Sequence, residues 1–120
     1  MLERNELRDY CLSMTGAYEE FPFGPEAAVF KVKNKMFALI PVDEPIPSIS
    51  LKCDPVEAVI LRETYDAVRP GYHMNKKHWN TVTSDGEIDD QRLKEMIEDS
   101  YILVRQKLKK SEQKELEALE

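Results

Sequence analysis

Apolar side chains recur along this chain at two periods, and the switch between them divides it into helices and strands. Leu7, Tyr10, Cys11 and Met14 stand three and four residues apart, so residues 3–15 predict an amphipathic helix that Gly16 stops. From Ala28 the period falls to two: Ala28, Phe30 and Val32 alternate with Val29, Lys31 and Lys33, the pattern of a strand with one apolar face. Asn34-Lys35 reads as a two-residue hairpin turn because Asn tolerates a positive φ, and residues 36–40 return as the second strand. Residues 48–53 alternate again, with Ile49, Leu51 and Cys53 inward and Ser48, Ser50 and Lys52 outward. Two Pro-rich stretches, Tyr18 to Pro25 and Pro41 to Pro47, read as loops.

Asp54-Pro55-Val56-Glu57 is the sharpest local signal. Asp caps a helix, Pro fits its first position and Glu completes a capping box, so a second helix runs to about Tyr65. A further loop covers Val68 to Gly71, residues 78–83 are β-prone, and Ser84-Asp85-Gly86 forms a turn. From Ile88, the stripe Leu93, Ile97, Tyr101, Val104 and Leu108 predicts a long third helix. The order α-β-β-β-α-β-β-α, with short connections, implies an antiparallel sheet with helices on one face. That is an α+β two-layer sandwich whose other face is at least partly open. Residues 1–110 form the domain, and 111–120 read as a polar extension, helical or frayed.

With 120 residues, 42% hydrophobic and 33% charged, the chain suits one globular domain. Its apolar runs are too short to span a bilayer and Met1 to Glu6 lacks a signal-peptide profile, so a cytoplasmic location is expected. Two cysteines, Cys11 and Cys53, read as small buried hydrophobes rather than a redox pair.

Charge is unevenly spread. The net value is −6, yet residues 28–83 carry +2 between two segments of −4 each. Within that central part, residues 71–80 concentrate both histidines, the single tryptophan, Lys76, Lys77, Asn75 and Asn80. A basic and aromatic stretch suits phosphates and planar rings. Lys31, Lys33 and Lys52 fall on the polar side of their strands; with Lys76 and Lys77 nearby, five ammonium groups would share one surface. Isolated lysines on strands more often serve solubility and discourage edge pairing. Burial statistics favour a largely buried Trp79 that anchors the segment together with Tyr72. Alternation leaves both inward pairs open, Trp79 with Thr81 or Asn80 with Val82.

Catalytic and metal chemistry has little to stand on. His73 and His78 lack a clear third ligand, so no metal and no cofactor is expected. No phosphate loop, nucleophile elbow or zinc-helix motif occurs. An acid–base role for either histidine is the weakest of the readings.

Several blocks together resemble the MmcQ/YjbR family of small bacterial proteins. They are Phe21-Pro22-Phe23-Gly24, Val29-Phe30-Lys31-Val32, Lys35-Met36-Phe37-Ala38 and Ile49 through Pro55, then Pro70 through Asn80 and Ser100-Tyr101. The likeness covers about residues 3–108. It implies the same sandwich, likened to frataxin-type (CyaY-like) and secretion-chaperone-like folds. Members are commonly labelled DNA-binding, through a proposed double-wing arrangement. Carried over, that label implicates Lys31, Lys35, Lys52, His73, Asn75, Lys76, Lys77, His78 and Asn80. The rival expectation is a protein-interaction or small-anion-binding module in which the same segment is a rigid structural block.

Overall fold

The computed structural model describes residues 1–71 and 74–120. Its elements are α1 (Arg4–Leu12), β1 (Tyr18–Glu20), β2 (Ala27–Val32), β3 (Lys35–Pro41), β4 (Ser48–Lys52), α2 (Pro55–Thr64), β5 (Val68–Pro70), β6 (Trp79–Thr83), α3 (Asp90–Gln106) and α4 (Lys110–Ala118). The six strands form one antiparallel sheet in the order β1-β2-β3-β4-β6-β5. This is the expected α+β sandwich with one strand and one helix more than the expected order. β1 and β5 are three-residue edge strands inside stretches that read as loops, too short for alternation to register.

The core lies between the sheet and the helices. Phe30, Phe37, Ile40, Ile49 and Val82 from the strands meet Leu7 of α1, Leu61 of α2 and Leu93, Ile97 and Val104 of α3. The β2–β3 register shifts at Phe30/Lys31, so Phe37 is an extra residue that turns inward beside Ala38. There its ring meets Tyr101 edge-on, with centroids 5.4 Å apart. The hairpin turn is Lys33-Asn34 rather than Asn34-Lys35, since Lys35 pairs with Val32. Both turn residues have positive φ, +48° and +67°, the backbone that a tight hairpin between right-twisted strands requires. Lys33 therefore leaves the strand face and pairs with Glu115 of α4.

One hydroxyl ties α3 to the middle of the sheet. Ser100, fully buried, donates to the Phe37 carbonyl (2.6 Å) and accepts from the Lys52 amide (2.8 Å). The β3–β4 register covers only Ala38–Leu51 and Leu39–Ser50, so Ser100 bridges the two strands beyond it.

The last ten residues dock. Leu116 is 1% exposed and belongs to the core cluster. Gly16 makes room for it: with φ +72°, a Cβ there would lie 2.6 Å from Leu116 Cδ2. Glu120 adds hydrogen bonds from Arg105 and Thr15. Leu116, Ala118 and Leu119 in an otherwise polar stretch are a weak sequence signal, but burial of Leu116 needs only the notch beside Gly16.

Two outcomes test the docking. Leu116→Ala should cost about 2–4 kcal/mol of stability in a urea titration, where a frayed tail would tolerate it. Hydrogen bonding from Arg105 and then from Thr15 holds the Glu120 carboxyl below its usual range. A carboxyl lowered on folding contributes stability above its unfolded pKa and loses it as pH falls through the folded value. The methyl resonances of Leu116 should therefore move toward an undocked position as pH falls through the lowered value of that carboxyl.

Candidate binding face

The strand registers decide which side chains share the helix-free face. One row across the sheet is Glu20, Val29, Leu39, Ser50, Thr81 and Arg69. Tyr18, Lys31 and Met36 align beside it, and Lys52 stands opposite Trp79. The charged positions on this face are one acidic, Glu20, and three basic, Lys31, Lys52 and Arg69. A chain of net −6 thus turns a positive sheet face outward.

That face is not flat. The β1–β2 loop contributes Phe23, the segment before β6 contributes Met74 and Asn75, and β6 contributes Trp79 to the lining of an apolar groove of about 440 Å³. Met36, Leu39 and Ala27 form its floor. Phe23 is 69% exposed and Phe21 47%, whereas Trp79 is half-buried. The face is only partly open, because Val29, Ser50 and Thr81 in its central row are buried. The Ser50 and Thr81 hydroxyls bond each other at 2.8 Å, which satisfies both away from water.

The open question of strand orientation has a clear answer. Asn80 and Val82 face the helices, and Trp79 and Thr81 face the other side. Asn80 is 1% exposed and engaged at both ends of its amide. Its Oδ1 accepts from Arg62 Nε at 2.6 Å and its Nδ2 donates to the Ala58 carbonyl at 3.3 Å. Arg62 also donates to the carbonyls of Lys76 and Trp79. The guanidinium of α2 thereby clamps the turn that leads into β6. Gly71 permits the matching close approach, since a Cβ there would stand 2.9 Å from Trp79 Cβ.

The other residues singled out in the sequence divide between scaffold and surface. Asn75 shapes the turn: its carbonyl accepts from His78 and Trp79 amides and its Oδ1 from the Lys77 amide (2.9 Å). Lys76 folds back, its ammonium 3.1 Å from the Gly71 carbonyl, while Lys77 stays exposed. His78 is half-buried and its carbonyl accepts from the Cys53 amide at 2.7 Å. Lys31 pairs with Glu20 at 2.8 Å, which raises its pKa through that hydrogen bond. Tyr72 and His73 lie outside the described residues. Among the described residues, no group of three or more His, Cys, Asp or Glu side chains is placed to hold a metal ion.

Lys52 reports a cluster that no sequence window contains. Partial burial is the main cause of its lowered pKa, and the charges of Lys107 and Lys35 add to it. Strands β3 and β4 and the end of α3 thus gather three ammonium groups, and the helix C-terminus there favours cations. Lys107 went unnoticed because it sits in a run of polar residues at a helix end, where a lysine carries no information. Cys11 is fully buried and inert, its thiol pushed up to about 12 by burial, while Cys53 is only half-buried.

The architecture is an open-faced antiparallel α+β sandwich with a lined groove on its helix-free face. The comparisons with known proteins agree on its kinship. The YjbR family model matches residues 12–103, and the chain belongs to the YjbR family. It is 44% identical over 94 residues to the uncharacterized protein YbdF of Escherichia coli O157:H7, covering 78% of this chain and 77% of that protein. It is 36% identical over 97 residues to the uncharacterized protein YjbR of Escherichia coli K12, covering 81% and 82%. The crystal structure of Deinococcus radiodurans protein DR2400, of domain family DUF419, superposes with a TM-score of 0.88 at 42% identity. It covers 93% of this chain and 86% of that one. A Pseudomonas syringae crystal structure gives a TM-score of 0.74 at 29% identity, over 85% and 98% of the two chains. No helix among the described residues is long and apolar enough to cross a membrane.

The clamp makes a prediction of its own. Arg62→Lys keeps the charge but loses the planar fork that reaches Asn80 and two carbonyls. It should cost about 1–3 kcal/mol in a urea titration and broaden the amide resonances of residues 74–79. An unchanged midpoint and spectrum would mean that the turn holds without the clamp.

Proposed function

We propose that this protein is a non-enzymatic nucleic-acid-binding module that takes a single DNA strand across the helix-free face of its sheet. The observation that carries this reading is the presence of Phe23 and Trp79 in the lining of one groove, on the positively charged side of an acidic protein. Aromatic faces stack on any base, and a lysine-lined surface tracks the backbone, so the two together form a sequence-tolerant single-strand platform. In this reading Lys77 and Lys52 meet phosphates, and Lys31 does so on exchanging its partner Glu20, while Lys35 and Lys107 lie toward the helix layer and add to the field at Lys52. Asn75, Asn80 and Lys76 act indirectly by shaping the turn that presents Trp79.

A second reading has its own support. The positive charge is partly neutralised, by Glu20 at Lys31 and by Glu115 at Lys33, and the groove walls are mostly apolar. Those features favour a protein-interaction or small-anion-binding module using the same face without nucleic acid.

Fluorescence anisotropy of a labelled single strand and its duplex, from low to physiological salt, separates the two. The single strand should bind more tightly, with a log–log salt slope of about −0.7 for each phosphate contacted. Phe23→Ala, at an exposed side chain, should weaken binding about tenfold by removing one stacked base. Lys52→Ala and Lys77→Ala should each flatten the slope. Absence of binding even at low salt would overturn the nucleic-acid reading and leave the interaction module.

A further inference from the structure

The helix layer does not close over the whole sheet. α3 lies across β2, β3 and β4, and α2 packs on β5 and β6. Between them a cleft of about 400 Å³ reaches down to Leu51, Asn80 and Val82. Its walls are apolar: Leu61 from α2, and Met96, Ile102 and Leu103 from α3. Ile102 is 46% exposed at the rim, a large aliphatic side chain left in water. The volume falls within the range of small-molecule sites, about 300–1,000 Å³.

The mouth of this cleft carries more carboxylates than cations: Asp54, Glu57 and Asp99 line it together with Arg92 and Lys52. Arg92 lies 3.7 Å from Glu57 and 3.8 Å from Glu95 and its charge also acts on Asp99, while Lys52 stands toward Lys35 and Lys107. Asp54 spends its Oδ1 on the Val56 and Glu57 amides as the cap of α2. That leaves Asp99, exposed at the rim, with no hydrogen bond or ion pair among the described residues. Cys53, in the cleft wall, senses the same field. Burial, then Glu57, Asp54 and Asp99, push its thiol up to about 11, with only Arg62 opposing.

We propose that the α2–α3 cleft binds a small organic cation with an apolar body, an alkyl- or arylamine. Its hydrocarbon part rests on Leu51, Leu61, Val82 and Met96, and its ammonium meets the Asp99 carboxylate. An apolar floor with an exposed carboxylate at an edge where carboxylates outnumber cations favours both features: an anion meets the larger share of like charge, and a neutral ligand of the same shape forgoes the charged contact. The cleft opens on the helix side of the sheet, so this site stands or falls independently of the DNA reading.

The test is an NMR titration of the labelled full chain with phenethylammonium, 2-phenylethanol and 3-phenylpropionate, probes that share a ring and differ in charge. Saturable shifts are expected at Leu51, Val82, Met96 and Leu103, with the cation bound at least about tenfold more tightly than the other two. Asp99→Asn, which keeps the shape of an exposed side chain, should abolish that preference. Equal binding of the three probes, shifts confined to the groove at Phe23 and Trp79, or a preference that survives Asp99→Asn would overturn the proposal. Cys53 offers a second readout. A cationic methanethiosulfonate should modify it faster than an anionic one, and phenethylammonium should protect it; equal rates without protection would overturn the proposal as well.

Discussion

A buried amide on β6 governs how this molecule presents Trp79. Asn80 lies among apolar neighbours on the helix side of the sheet, where an unpaired amide would cost about 1–3 kcal/mol. Arg62 and the Ala58 carbonyl satisfy it, and both come from α2. The same guanidinium then reaches the backbone of Lys76 and Trp79. Fixing the inward residue of the strand fixes the outward one, because successive side chains point to opposite faces. Trp79 is therefore held on the open face by an interaction made on the closed one.

Ser100 performs a comparable service at the centre. The ladder between β3 and β4 is short, and beyond it the Phe37 carbonyl and the Lys52 amide both meet the Ser100 hydroxyl. A polar residue thus sits fully buried on a helix whose neighbours Ile97, Tyr101 and Val104 are core. The bridge links α3 to the strand end that carries Lys52, and so to the cluster with Lys35 and Lys107. Packing and electrostatics are joined at one hydroxyl.

The two faces of the sheet have opposite characters, and each has an opening. The helix-free side combines aromatic and thioether side chains with a positive balance, properties suited to stacked rings and phosphates. The helix side has a gap where neither α2 nor α3 covers β4 and β6, apolar at the bottom and acidic at the mouth. The helix-side opening exists because α3, over β2 to β4, and α2, over β5 and β6, leave a gap between them.

Much of the architecture was legible in the chain itself. Alternation in residues 28–32, 36–40 and 48–53, the Asp54-Pro55 cap and the stripe from Leu93 to Leu108 specify their elements through local periodicity and local hydrogen bonding. The relatedness blocks were legible too, since they are runs of sequence. Other features depended on contacts between distant residues. β1 is a strand because β2 offers it an edge, and α4 docks because Gly16 leaves a notch for Leu116. The same holds for the orientation of Trp79, the burial of Asn80 and the meeting of Lys35, Lys52 and Lys107. A single strand such as residues 79–83 has two acceptable inward sets, and only a partner across the fold breaks the tie; here that partner is Arg62. The sequence by itself determined which of the longer segments would be helix or strand and to which family they belong. The tertiary structure decided which side chains face each other, because burial of a polar group is settled only by whatever donor or acceptor the rest of the chain brings to it.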